Sequence, residues 1–366
     1  MKVTVCSAGN AGRAIAGDCA LMGHSVNLFE LDRFYSNLEP IQAAGGIEVS
    51  GVTQTGTEGF AELEAISTEA AATVPRADLI VVAAPAIGHG DFFEAVIPQL
   101  ESGQHIWVPT GYWASLRFAK DLRDAGKFDD VIVGEGSIMP YATVDTSGQR
   151  DETIEITNIK QYTRAATFPG TDIDGFHDRL SKLYPQYEKS PHLAWTNLEA
   201  GNPPIHATMS IPMSGIMYER YREFRFYEEC TNLGGRLIDA FDEERMQIAS
   251  ALDTNVISQL EWTKRAYGYT GDNIGKTLRQ SDHADMFISS AFMEMILQED
   301  LAYNYVPMTF LGDALDIPTP VTESMVTVLS VMLDTDYRGM APTKERLGIR
   351  GKDRETLLEY LRSGGQ

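Results

Sequence analysis

The chain has 366 residues, 43% hydrophobic and 22% charged, with 30 Lys and Arg against 52 Asp and Glu, a formal charge of −22. That apolar share excludes disorder for the bulk of the chain, the length suggests about two domains, and so acidic a surface repels phosphate backbones and anionic lipid, so neither nucleic acid nor a membrane is expected as a partner. The longest apolar runs, such as Leu79–Ala84, fall far short of the ~20 residues of a membrane helix, Met1–Val5 lacks the apolar core of a secretory leader, and Cys6, Cys19 and Cys230 show neither disulfide nor metal spacing, so the expectation is a reduced, cytoplasmic protein with no metal site.

Lys2–Cys6 reads as a short strand, Gly12–Met22 as a helix closed by Gly23, and Ser25–Phe29 as a second strand. Leu79–Ala84 is apolar throughout, as in a strand covered on both faces of a parallel sheet. Phe92–Leu100 reads as a helix, Gln104–Val108 as a strand, Trp113–Ala125 as a helix and Val131–Val133 as a strand. Strands alternating with helices imply right-handed crossovers and a parallel, doubly wound α/β sheet, placed here in residues 1–190. The remainder, 191–366, is mostly helical in pattern. Phe224–Leu252 forms one long periodic stretch whose Gly234-Gly235 pair predicts close packing against another helix, and Pro318-Thr319-Pro320 breaks the chain before Val321–Leu333.

The first strand runs into Ser7-Ala8-Gly9-Asn10-Ala11-Gly12 and then a helix: a GxGxxG turn with serine in the first glycine position. Such a turn lets the backbone at Gly9 approach a pyrophosphate, lets helix and strand pack closely at Gly12, and presents the amides of Asn10 and Ala11 at a helix N-terminus. Glu30 follows the second strand, 21 residues past Gly9, where a carboxylate grips the ribose hydroxyls of a dinucleotide. It favours NAD(H), and Arg33 is the group that could pair with the 2′-phosphate of NADP(H). A glycine turn with no ligand and an S-adenosylmethionine site are the alternatives. Gly271–Thr277 looks like a P-loop but is one residue short and follows no apolar strand, so it reads as a loop.

Of seven histidines, His24, His105, His177 and His192 read as structural. His283 has acids beside it. His89 follows the strand end Leu79–Ala84, where a cofactor crevice opens, and could contact a cofactor or cap a helix. His206, in Gly201-Asn202-Pro203-Pro204-Ile205-His206, sits where the sheet pattern hands over to the helical one, and ligand clefts favour such junctions.

Taken together, these segments resemble the octopine/nopaline (opine) dehydrogenase family. The matching stretches are Gly9–Gly12, Ala83-Ala84-Pro85-Ala86 with His89, Glu135–Ala142, Asn202–His206, Phe226–Glu229, Asp242–Arg245, and Gln298-Glu299-Asp300 with Gly312 and Pro318–Pro320. The resemblance implies a Rossmann domain for NAD(P)H that uses Ala84, Pro85, His89 and Glu135 beside the glycine turn. It also implies an all-α second domain of the 6-phosphogluconate-dehydrogenase-like type. It implies reductive condensation of an amino acid with a 2-oxo acid, with His206 as acid/base, Asp300 as its partner and Asn202 as an orienting group; a homodimer is compatible with it. A neutral-range proton donor oriented by a carboxylate suits such chemistry.

The chain departs from the family pattern where arginines are usual: Met295 stands five residues before Asp300, and Val144 follows the proline–tyrosine–alanine run. Arg279 and Lys276 are the substitute cations to consider. The rival readings are a ketone or 2-hydroxy-acid reductase of the ketopantoate-reductase or glycerol-3-phosphate-dehydrogenase type, and a dinucleotide-sensing protein without turnover.

Overall fold

The computed structural model describes residues 1–144, 151–219, 225–281 and 284–365. The contacts divide the chain into two units, Met1–Leu193 and Ala194–Gln366.

The first unit contains, in order, β1 (Lys2–Cys6), α1 (Asn10–Leu21), β2 (Ser25–Phe29), α2 (Tyr35–Ala44), β3 (Gly46–Gly51), β4 (Gly59–Glu62), β5 (Ala65–Ser67), α3 (Ala70–Thr73), β6 (Leu79–Val82), α4 (His89–Val96), β7 (His105–Val108), α5 (Ala114–Asp124), β8 (Ile132–Gly136), β9 (Tyr141–Val144), β10 (Thr153–Ile159), β11 (Thr163–Phe168), α6 (Ile173–Leu180) and β12 (Tyr187–Lys189). Its main sheet has the order β12-β11-β8-β7-β6-β1-β2-β5. Neighbours run parallel except at β11/β8, which is antiparallel. The all-apolar reading of β6 has its cause here. Leu79 and Val81 face the layer that holds Val3 and Val5, while Ile80 and Val82 face the opposite layer with Ile106 and Val108.

A second sheet, β4-β3-β10-β9, lies outside the expected pattern. It packs against α1 through buried polar contacts. Tyr141 donates to Asp18, Gln54 N–H donates to Asp18 at 3.1 Å, and the Arg13 guanidinium donates to the carbonyls of Asp151 and Thr153 at 2.9 and 3.0 Å. Strands this short, paired across about a hundred residues, carry too little periodicity to be read from sequence.

The second unit is helical: α7 (Leu193–Leu198, starting at the boundary), α8 (Pro203–Glu219), α9 (Asn232–Ala251), α10 (Gln259–Tyr267), α11 (Ile274–Arg279), α12 (Ser290–Asp300), a π turn (Leu301–Tyr305), α13 (Val306–Leu315), α14 (Pro320–Met332), α15 (Tyr337–Met340) and α16 (Arg354–Ser363). The long stretch expected from Phe224 is shorter: α9 starts at Asn232, because Thr231 caps it by accepting from Gly234 N–H at 3.1 Å, and Phe224 lies outside the described residues. Gly235 lets α9 lie against α11, where a Cβ would sit 3.4 Å from Gly275 N. The P-loop-like segment is not all loop, since Asn273 caps α11 by accepting from Lys276 N–H.

Asp242 and Arg245 form a buried pair on α9, and Arg245 also donates to the carbonyls of Leu198 and Ile257. Glu244 accepts from the N–H groups of Val321 and Thr322 at 2.7 and 2.9 Å, which fixes the start of α14. The acidic–basic run at 242–245 thus holds the helical unit together. Cys6, Cys19 and Cys230 are buried and form no disulfide. Among the described residues no helix is long and apolar enough to cross a membrane, and no cluster of His, Cys, Asp and Glu could hold a metal ion.

Candidate active site

The turn between β1 and α1 has the geometry of its sequence. A Cβ on Gly12 would lie 1.8 Å from the Ser7 carbonyl oxygen, so only glycine lets the helix approach the strand. Ser7 holds φ = +90°, a region natural to the glycine it replaces. Gly9 is the N-cap of α1, with no side-chain cap and no acid in the first turn, which leaves amides and a positive dipole end for an external acceptor. Asn10 accepts from Arg13 at 2.7 Å, which orients it along the helix start, and Ala11 is half-buried beside it.

Glu30 is 1% exposed. Its two oxygens accept from Ala8 N–H and Leu31 N–H, both at 2.8 Å. The carboxylate therefore pins the glycine turn to the end of β2. Burial raises its pKa, against the lowering effect of those amides. Arg33 is exposed, pairs with Asp91 and lies over the Phe34 ring.

Ala84 and Pro85 follow β6. His89 is fully buried at the start of α4: Arg117 donates to its Nδ1 at 3.4 Å, and Nε2–H donates to the Ala84 carbonyl at 3.0 Å. Burial, then the Arg117 charge, depresses its pKa well below the usual value, so the ring is neutral. With both nitrogens occupied, His89 holds the 84–89 loop in shape, and Arg117 adds a bond to the Ala86 carbonyl at 2.9 Å. Arg117, 28 residues downstream, had no sequence signal to mark it. Glu135 is buried at the end of β8, where Ser115 N–H donates to it at 3.3 Å.

In the helical unit, α8 starts with Pro203 at its first position, and the Asn202 carbonyl accepts the N–H of Ile205 and His206 at 3.0 and 3.2 Å. This sets His206 in the first turn, 4% exposed. Asp300, the last residue of α12, is 0% exposed, and its Oδ2 lies 2.9 Å from His206 Nδ1. The contact puts a proton on Nδ1 and leaves Nε2 the acceptor of the neutral ring. Phe226, fully buried, meets the imidazole at an angle of 63° with centroids 6.1 Å apart.

A π turn, Leu301–Tyr305, follows Asp300 directly, with the Val306 N–H donating to the Leu301 carbonyl, and the Tyr305 hydroxyl donates to the Pro203 carbonyl at 2.9 Å. An α-helical reading sets residues five apart about 140° round the helix, so the sequence offered no sign of this contact. His283 lies outside the described residues.

Met295 is 41% exposed on α12. Arg279, half-buried, donates to the Cys230 carbonyl and lies 3.4 Å from Asn232 Oδ1, while the exposed Lys276 lies 3.9 Å from the exposed Asp272. Arg279 is thus committed to joining α11 to the start of α9.

A family model described as the α-helical domain of NAD/NADP octopine/nopaline dehydrogenase matches residues 189–333. The chain is 29% identical over 347 residues to the opine dehydrogenase of Arthrobacter sp. (strain 1C), covering 94% of each. Over these residues the chain is similar to the octopine/nopaline dehydrogenases. As an opine-dehydrogenase-like oxidoreductase it shares the two-part fold of solved relatives. An octopine dehydrogenase solved with NADH and L-arginine is 16% identical, covering 100% of this chain and 98% of that one, with a TM-score of 0.77. A yersinopine dehydrogenase solved with NADP+ is 13% identical, covering 99% and 98%, with a TM-score of 0.71. The mainly parallel sheet and the helical second unit match the fold of those solved structures, and the helical unit matches the family model.

Proposed function

We propose that this opine-dehydrogenase-like enzyme joins the amine of an amino acid to a 2-oxo acid, and that the linkage is reduced to a secondary amine. The buried His206–Asp300 pair carries this reading. Asp300 orients the imidazole and stabilises its protonated form. Histidine then gives a proton to the oxygen that leaves as water while the C=N bond forms. Asn202, which starts the helix of His206, orients the reactants.

The first unit fits a dinucleotide. The contact-limited Gly12 and the uncapped start of α1 suit a pyrophosphate, held by Gly9, Asn10, Ala11 and Gly12. Glu30 has lone pairs left for ribose hydroxyls, which favours NAD(H); Arg33 would have to leave Asp91 to serve NADP(H). Ala84, Pro85, His89 and Glu135 shape the strand ends beside it. When bound, the cofactor supplies the hydride that reduces the C=N carbon. We assign the dinucleotide to residues 1–190 and the proton chemistry to 191–366, in a reducing cytoplasm that suits three cysteines without a disulfide.

NADH absorbance followed across amines and oxo acids tests the reaction. Oxidation that needs both partners is expected. Oxidation by a ketone alone would make the enzyme a carbonyl reductase, and tight NADH binding with no oxidation would leave a dinucleotide sensor. His206→Ala should retain NADH affinity and lose roughly 10²–10⁴-fold in turnover. Fluorescence titration should show NADH binding more tightly than NADPH.

A further inference from the structure

Arg33 and Asp91 form an ion pair that joins the turn after β2 to the first turn of α4, 58 residues apart in sequence. Asp91 stands on a fixed base. His89, two residues before it, is buried and bonded to Ala84 and Arg117, which holds the start of α4, and a carboxylate is favoured at a helix N-terminus. Arg33 is held on two sides, by Asp91 and by the Phe34 ring, whose centroid lies 4.9 Å from the guanidinium carbon. Its charge also reaches Glu30, the buried carboxylate at the end of β2, and favours the ionised form there. One guanidinium therefore serves two carboxylates that differ in burial. Glu30 is 1% exposed and anchored by the N–H groups of Ala8 and Leu31, whereas the side chain of Asp91 is 43% exposed and that of Arg33 54%. Asp32, exposed in the same turn, adds a further negative charge.

We infer that Asp91 is a specificity-determining residue for the dinucleotide: it holds Arg33 away from a ribose 2′-phosphate and so reinforces the choice of NAD(H) over NADP(H). The inference rests on the dinucleotide proposed above for this unit, and it assigns part of the selectivity to a helix outside the glycine turn and β2. Glu30 accepts hydrogen bonds from free ribose hydroxyls and repels a phosphate. Arg33 is the cation beside Glu30 that could offset that repulsion, because guanidinium and phosphate pair bidentately. A 2′-phosphate has to take Arg33 from Asp91, and it meets the Asp91 charge while doing so. Both side chains of the pair reach water, so the exchange is a matter of several-fold in affinity and not of absolute exclusion. Asp91 acts through Arg33 and is a positioning residue; it needs no contact with the nucleotide.

The test reads binding and not turnover. NADH and NADPH are titrated by fluorescence into the native protein, Asp91→Asn, Asp91→Glu, Arg33→Ala and the double variant of Asp91→Asn with Arg33→Ala. ADP, and ADP carrying a 2′-phosphate, are titrated by calorimetry into the same set. Both positions are about half exposed, so the variants should fold as the native protein does. Asp91→Asn should lower the ratio of the NADPH Kd to the NADH Kd by roughly three- to tenfold, the scale of one exposed pair released together with one repelling charge removed. Asp91→Glu keeps the pair and should leave the ratio near its native value. In the Arg33→Ala background the effect of Asp91→Asn should shrink to less than about twofold, since the coupling between the two residues is gone. The two ADP probes should follow the same order, because they carry the adenosine ribose without nicotinamide. An unchanged ratio in Asp91→Asn overturns the inference. So does a gain that persists undiminished without Arg33, which would make Asp91 a repelling charge and no more. NADH binding with one ratio throughout the set refutes the role of Asp91 alone. No binding of either dinucleotide by any of these proteins refutes the cofactor reading, and the role of Asp91 falls with it.

Discussion

The Tyr305 hydroxyl donates a 2.9 Å hydrogen bond to the Pro203 carbonyl, joining the residue five past Asp300 to the residue three before His206. The two helices that meet at the His206–Asp300 contact are therefore tied a second time, just beside it. Tyr305 is itself held by stacking on Phe241, with centroids 4.3 Å apart. Tyr305→Phe keeps the stack and removes the tie. It should cost about 0.5–1.5 kcal/mol in urea unfolding and lower turnover several-fold with NADH affinity retained. Native turnover in the variant would show that the histidine contact needs no such support.

Asp18 gives stability a pH dependence away from the site. It is fully buried, and desolvation raises its pKa above 3.8 despite the hydrogen bonds from Tyr141 and Gln54. The folded protein holds this proton more tightly than the unfolded chain. Its contribution to stability is therefore complete below the unfolded value and is lost as pH rises through the folded value. Asp18→Asn removes the titration while its amide oxygen still accepts from Tyr141. Urea unfolding from about pH 4 to 7 should show the variant gaining on the native protein as pH rises, then levelling off. A difference that does not change with pH would rule out a shifted Asp18.

Ser7 is a direct test of backbone strain in the glycine turn. Its φ of +90° is costly for serine and free for glycine, and its hydroxyl lies 3.3 Å from Gly9 N. Ser7→Gly should stabilise the protein by about 1 kcal/mol in denaturant unfolding. A loss of stability would mean that the contact to Gly9 outweighs the strain.

Met295 is exposed on α12, so an arginine there should change stability by less than about 0.5 kcal/mol. If the position serves as the carboxylate grip usual in the family, Met295→Arg should raise kcat/KM for pyruvate with one amino acid held constant. Efficient use of pyruvate by the unmodified enzyme would place the grip on another cation.

The sequence by itself determined what is local. The glycine turn, the doubly buried β6 and the proline start of α8 are set by residues within one element, where periodicity, caps and sterics act over a few positions. His206 could be singled out in the same way, from the segment that precedes it. Tertiary structure decided what depends on distant partners. It brought Asp300 to His206 across 94 residues, and Glu244 to the start of α14 across 77. It paired β10 with β3 into a sheet that no periodicity announced. It also turned His89 inward, because the neutral ring that Arg117 and Ala84 require exists only once α4 and α5 have packed. Hydrogen bonds between remote residues form only when the intervening chain has folded, so local pattern carries the participants but not their pairing, and for His206 and Asp300 it was the family resemblance that named the pair.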